Sequence, residues 1–402
     1  QHPSFQYFAS KVVGALDYRE GRSANVEGFK VLDASTFEIR WRNPYVSSLY
    51  LLSMDFSKIL PRDLVLSQGK SFFQKPSGTG PFKFAYWLRS PRLDIVGVRL
   101  ERNEGYFGKK PYLEAVEFSP YFTLDHFLDR EVDIIPYISE KLSQMDCQVL
   151  ENESFTTVFL ALSCHIPPLD RPAVRRAISL AIDKKELARA AFRLDMIPQV
   201  THNYIPARLP GFFPADDREG YNLAEAKRIL GKEGFLEPGD FPSLFLCFEQ
   251  PRREEDTKIY RLMRDQLGSL GIRLKMRYYR SSADLKAIRE PYIVLFDWRM
   301  DFPDPENLVL PLFSSSAMIN REILHYSSSR MDELIKKGEV ERSWTERIAL
   351  FQKMEEILRE DVPALPLFSR QQRLAIQPHV RGVKIPALGF YYLNTADIWL
   401  DK

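Results

Sequence analysis

LFLCFE (244–249), IYRLMRDQLGSL (259–270), IRLKMRYY (272–279) and YIVLFDW (292–298) follow one another along the chain. The first, third and fourth are strand candidates, and the second reads as a helix. Strands alternating with helices in this order are the signature of βαβ units and a mostly parallel sheet. Upstream, Asp170 before PAVRRAISLAI is an N-cap candidate, with Pro172 tolerated in the first turn. Asp183 with Glu186, Asn222 with Glu225 and Ser343 with Glu346 have capping-box spacing, and each opens a helix. Pro363 stops the last of these.

Nearer the N-terminus the period changes. Phe37, Ile39 and Trp41 alternate with Thr36, Glu38 and Arg40, which predicts a half-buried strand within 31–43. Residues 92–103 predict another, and 114–135 predict a strand, a short helix and a buried apolar end. After Ser369 the chain returns to strand-like sequence in RLAIQ, VRGVKI and FYYLNTADIWL.

At 402 residues the chain has room for two or three lobes. A net charge of +2, from 56 basic and 54 acidic side chains, argues against a nucleic-acid partner, which calls for a basic excess on one face. Apolar content of 45% is enough to offset the entropy of ordering, so disorder is not the main state. No apolar run approaches the ~18 residues of a membrane-spanning helix. QHPSFQYFAS (1–10) lacks the regions of a signal peptide, and the absence of an initial Met favours a removed targeting segment or a fragment. Cys147, Cys164 and Cys247 show neither zinc nor disulfide spacing and read as small buried hydrophobes.

Chemistry concentrates in one place. There is no phosphate-binding loop, no H-E-x-x-H and no G-x-S-x-G. Pro81 directly after GTG (78–80) rules out a dinucleotide fingerprint, and the histidines (2, 126, 165, 202, 325, 379) are scattered. DWRMDFPDPEN (297–307) instead places Asp297, Asp301, Asp304 and Glu306 beside Trp298 and Phe302, at the carboxyl end of a buried-looking strand. Ligands of open α/β sheets sit at such ends. Three readings stay open: a solvated acidic turn, a carboxylate pair for glycoside hydrolysis or a hard metal, and a single carboxylate holding a ligand ammonium against an aromatic wall.

Six segments in order resemble the extracellular solute-binding proteins of family 5, the oligopeptide- and dipeptide-binding components of ABC importers. They are GTGPFKF (78–84), LERNEGYFGKKPYLEAVEF (100–118), PPLDRPAVRRAISLAIDKKEL (167–187), YNLAEAKRILGKEGF (221–235), DWRMDFPDPENLVLPLF (297–313) and ERIALFQKMEEILREDVPALPLF (346–368). The resemblance implies an α/β, two-lobed periplasmic-binding-protein-like clamp (type II, large cluster C-like) that closes on its ligand by hinge motion. It implies a strand-rich partial first lobe at 1–163, a second α/β lobe at 164–370 and a return to the first lobe at 371–402. Residue 1 aligns partway into the family's first lobe, so the resemblance implies that lobe is incomplete at its N-terminus, with strand edges left bare.

The family likeness also assigns roles. In peptide-binding members the Asp of W-x-x-D pairs with the peptide's ammonium and the strand before it pairs with peptide backbone. Those positions here are Trp298 and Asp301, with Arg299 between them. Members carry a small residue after the Trp; Arg299 can hold a ligand carboxylate, shorten the pocket or repel an ammonium. The implied protein is a monomer, periplasmic or extracellular and membrane-anchored. It delivers a peptide or other ammonium-bearing solute to a membrane ABC permease, with no catalytic residue, metal or cofactor. Alternatives are a transport-inactive sensor or scaffold on the same clamp, a nickel- or metal-chelate-binding member, and a carboxylate-using glycosidase.

Overall fold

The computed structural model describes residues 10–214 and 220–401; His2 and the first nine residues read above for a signal peptide lie outside them. The chain divides into two units. An α/β unit holds the described residues up to Lys58, Thr156–Ala191 and Val200–Phe368; a second holds Ile59–Phe155, Phe192–Gln199 and the residues from Ser369.

The two units hold the strands β1 (Ile134–Pro136), β2 (Gln148–Leu162), β3 (Met196–Val200), β4 (Leu244–Glu249), β5 (Leu274–Tyr279), β6 (Tyr292–Arg299) and β7 (Ala364–Ile376). In the α/β unit their order is β5-β4-β6-β2-β7. β4 runs parallel to β5 (Leu244↔Leu274 to Glu249↔Tyr279) and to β6 (Phe245↔Tyr292 to Phe248↔Leu295). β6 and β2 are antiparallel, from Ile293↔Leu162 to Arg299↔Thr156. The βαβ reading holds for β4, β5 and β6, and β2 turns the sheet into a mixed one. In the second unit β7 goes on to pair with β1, Leu374↔Pro136 to Ile376↔Ile134. That unit also holds a meander of Phe82–Arg89, Ile95–Arg102 and Ala115–Phe118.

The core explains why VFLAL (158–162) shows no alternation. Val158, Leu160 and Leu162 join Leu244, Leu246, Phe248 and Ile293 against Val174, Ala177, Ile178, Ala226, Leu230, Ile259, Met263 and Leu267 from helices Pro172–Leu180, Leu223–Lys232 and Glu254–Gly268. Phe159 stacks on Phe296 and on Tyr204 at centroid distances of 5.6 and 6.1 Å, and Tyr204 meets Phe313 edge-on. A strand covered on both faces is apolar at every position. Leu246→Ala, at a fully buried site, is expected to destabilise the α/β unit by about 2–5 kcal/mol, read from the urea midpoint.

Helix starts follow the capping signals with one correction. Asp183 accepts from the amides of Lys185 and Glu186, Asn222 from Glu225, and Ser343 from Glu346. The cap of Pro172–Leu180 is Arg171, not Asp170, and no side chain caps it; Asp170 stands one residue too early. The buried Arg175 ties this helix to the end of Trp344–Asp361, donating to the carbonyls of Asp361 (2.8 Å) and Val362 (3.1 Å), where a cation suits the helix dipole.

Two strand expectations shrink. Within 31–43 the strand residues are Val31, which ends Phe29–Val31, and Phe37–Ile39, the two pairing in a short hairpin, and Phe37 is 54% exposed. Ile39 and Trp41 do pack inward, on Val12, Ala15 and Leu51, a core too small to cover a longer strand. In FYYLNTADIWL only Trp399–Leu400 is strand, paired with Val380–Arg381. Asn394 accepts from the Ala396 amide and bonds Asp397, turning the chain locally where a ladder was expected.

Residues 10–58, read from sequence as part of the first lobe, group by contact with the α/β unit. The Val46 amide donates to the Glu339 carbonyl, and the Tyr50 ring stacks on Phe302 at 5.5 Å.

Candidate functional site

Strand β6 has two neighbours for half its length. Among the described residues its ladder with β4 ends at Leu295, while that with β2 continues to Arg299. The last turn of this strand therefore presents an edge, and Trp298 and Asp301 stand at its end.

Asn307 joins those two residues. The Trp298 indole N–H donates to the Asn307 carbonyl at 2.9 Å, and the Asp301 amide donates to Asn307 Oδ1 at 2.7 Å. Trp298 and Asp301 are half-buried. Arg299 is exposed, as is Asp297, and consecutive strand residues face opposite sides of a sheet. Trp298 and Asp301 are thus knit together through one turn, while Arg299 leaves the strand on the other face from Trp298.

The remaining acids of the cluster turn inward. Asp304 and Glu306 are 3% and 4% exposed, and Arg347 is 2% exposed. Arg347 makes a two-pronged bond to Asp304, Nη1 to Oδ2 at 2.6 Å and Nη2 to Oδ1 at 2.9 Å, and its Nη2 lies 3.4 Å from Glu306 Oε2. Its Nε donates to the Gly338 carbonyl at 2.9 Å. Ser47 Oγ donates to Glu306 Oε2 at 2.8 Å, and Lys11 pairs with Glu339 nearby. Burial pushes the Glu306 carboxyl up to about 7, against the opposing pull of the Lys11 charge and the Ser47 bond. Burial, reinforced by Glu306, also raises the Tyr45 hydroxyl.

This geometry corrects the reading of four cooperating acids. A glycosidase pair needs carboxyl groups facing a common solvent-filled gap, and a hard-metal site needs oxygens open to the ion. Asp304 and Glu306 are spent on Arg347 and Ser47, so the four acids do not face one opening. Arg347, Asn307 and Ser47 were not singled out from sequence. Arg347 had a signal: with Phe351, Met354 and Leu358 it lies on the buried stripe of its helix, all four inside, and a cation in such a stripe marks a buried anion.

The other candidate groups are inert or local. All three thiols are free, and burial raises Cys164 to about 11 and Cys247 to about 12. Cys247 is buried as expected; Cys147 and Cys164 are half-buried. The rings of His165 and His325, far apart in sequence, lie 3.8 Å apart, and burial lowers His165 to about 4. No helix among the described residues is long and apolar enough to cross a membrane.

Comparison with known proteins bears on the whole chain. Residues 2–320 match the model of the "Bacterial extracellular solute-binding proteins, family 5 Middle". The chain is 23% identical to the dipeptide-binding protein of Escherichia coli (strain K12), covering 96% of this chain and 74% of the relative. It is 24% identical to di/tripeptide-binding protein 2 of Pseudomonas aeruginosa (strain UCBPP-PA14), covering 85% of this chain and 66% of the relative. The chain thus spans about two thirds to three quarters of these relatives' lengths. Among solved structures it is similar to the periplasmic binding protein DppA from Helicobacter pylori in complex with the peptide STSA (TM-score 0.74, 23% identity, 95% of this chain, 75% of that one). It is also similar to a putative peptide binding protein AppA from Clostridium difficile (TM-score 0.79, 17% identity, 99% of this chain, 81% of that one). The fold is the mixed α/β fold of the oligopeptide-binding proteins, and the chain belongs to the bacterial extracellular solute-binding proteins, family 5.

Proposed function

We propose that this chain captures short peptides at the Trp298–Asp301 end of β6, outside the cytoplasmic membrane, and delivers them to an ABC importer without transforming them. One observation carries the reading. The edge of β6 from Phe296 to Arg299 ends beside a half-buried carboxylate and a half-buried indole. An extended peptide adding to that edge gains main-chain hydrogen bonds whatever its sequence. Asp301 then meets the peptide's ammonium and fixes its register through a charge-assisted bond. Trp298 walls the first residue, and Arg299 stands on the other face of the strand.

Relatives named for dipeptides and for di/tripeptides support short ligands, and the periplasmic relative in complex with STSA supports the location and the peptide class. The permease partner follows from the family. Mass spectrometry of small molecules released by denaturing protein purified without ligand removal tests the reading. Peptides with free amino termini are expected; a uniform non-peptide ligand would refute it.

A further inference from the structure

We propose that Glu306 is a proton-linked positioning residue: a proton on its carboxyl accompanies the seating of the 301–307 turn on Ser47 and Arg347. The charges beneath the turn do not balance. Asp304 and Glu306 are both buried, and the single guanidinium of Arg347 gives its two-pronged bond to Asp304, reaching Glu306 with one longer contact. Among the described residues, the elements packed against Glu306 supply the following groups. The 45–47 segment brings Tyr45 and Ser47, the N-terminal stretch brings Lys11, helix Ser329–Val340 brings Glu339, helix Trp344–Asp361 brings Arg347, and the turn itself brings Asp304. Lys11 is the second cation, and Glu339 already holds it. Among the described residues one carboxylate is therefore in surplus in a dry place, and a proton neutralises it at least cost.

The turn so held is the one that places Trp298 and Asp301. Glu306 precedes Asn307, whose carbonyl and side chain take the indole and the Asp301 amide. The Glu306 amide itself donates to Asp304 Oδ1 at 2.9 Å. When Glu306 ionises, its interaction with Ser47 and Arg347 leaves a net buried charge, and the turn together with residues 45–50 loosens.

The direction follows from linkage. Seated, the Glu306 carboxyl keeps its proton up to about 7; released to water it returns to the ordinary 4.5. Seating takes up a proton between those values, so it is favoured at low pH and weakens as pH rises through 7, by about tenfold between pH 6 and 8.5. The further consequence, that ligand affinity falls over the same range, rests on the peptide-binding reading above.

Hydrogen exchange on the full chain, corrected for intrinsic rates, tests the seating without any ligand. Wild type is expected to lose about tenfold protection in 44–57 and 300–313 between pH 6 and 8.5, while Glu306→Gln, which keeps the shape without the charge, shows no such change. Ser47→Ala, which removes a bond favouring the charged form, moves the midpoint to higher pH. A flat wild-type profile, or the wild-type slope persisting in Glu306→Gln, overturns the proposal. Calorimetry with a tripeptide at both pH values separates the two readings: the expected exchange profile with no peptide binding at either pH upholds the seating and refutes the peptide reading.

Discussion

Asp301→Asn is expected to weaken binding of a short peptide by roughly 2–5 kcal/mol, the range for truncating one partner of a desolvated charge pair. The lower end is expected, because Asp301 is half-buried and exposed pairs contribute much less. Asn is close to Asp in shape and leaves the backbone bond from residue 301 to Asn307 Oδ1 in place. The substitution therefore removes charge while the turn stays. Isothermal calorimetry at fixed salt reads the change, and an affinity equal to wild type would contradict the ammonium role.

The second large effect lies beneath the turn. Arg347→Met is expected to destabilise the α/β unit by about 3–5 kcal/mol, the cost of stripping the partner from a buried ion pair. Met conserves most of the apolar volume, so the loss is electrostatic: Asp304 and Glu306 remain buried with no cation bonded to them. Urea unfolding measures it. Adding Asp304→Asn and Glu306→Gln to Arg347→Met is expected to recover part of the loss, since removing the charges together is far less costly than orphaning them. A loss below 1 kcal/mol in the single variant would show that water reaches the cluster.

Where local physics decides, the sequence was legible. The caps at Asp183, Asn222 and Ser343 satisfy amides two or three residues away and were readable as spacings. The strands β4 and β6 are mostly apolar and β5 carries Lys275 and Arg277 between apolar residues, and their order with helices announced the parallel pairing. Trp298 and Asp301 are proposed as ligand contacts through family likeness, because a W-x-x-D turn alone does not distinguish a ligand carboxylate from a solvated one.

What escaped depends on contacts between distant residues. Ser47 and Arg347 are 300 positions apart and meet over Glu306, so the inward turn of Asp304 and Glu306 could not be read from an acidic run. The same holds for residues 10–58, whose own core has three fully buried side chains, Val12, Ala15 and Leu51. Their grouping comes from Tyr50 on Phe302 and Ser47 on Glu306, partners that no periodicity within the segment reveals. The long C-terminal strand failed for the opposite reason: Asn394 competes locally for the backbone, a short-range effect that aromatic content obscured.

The central claim, that one carboxylate at position 301 receives the amino group of a bound peptide, is tested most directly by calorimetry of a single tripeptide with its amino terminus free or acetylated, against wild type and Asp301→Asn. The account predicts that acetylation costs wild type roughly 2–5 kcal/mol and costs the variant almost nothing. An acetylation penalty of the same size in both proteins would contradict it.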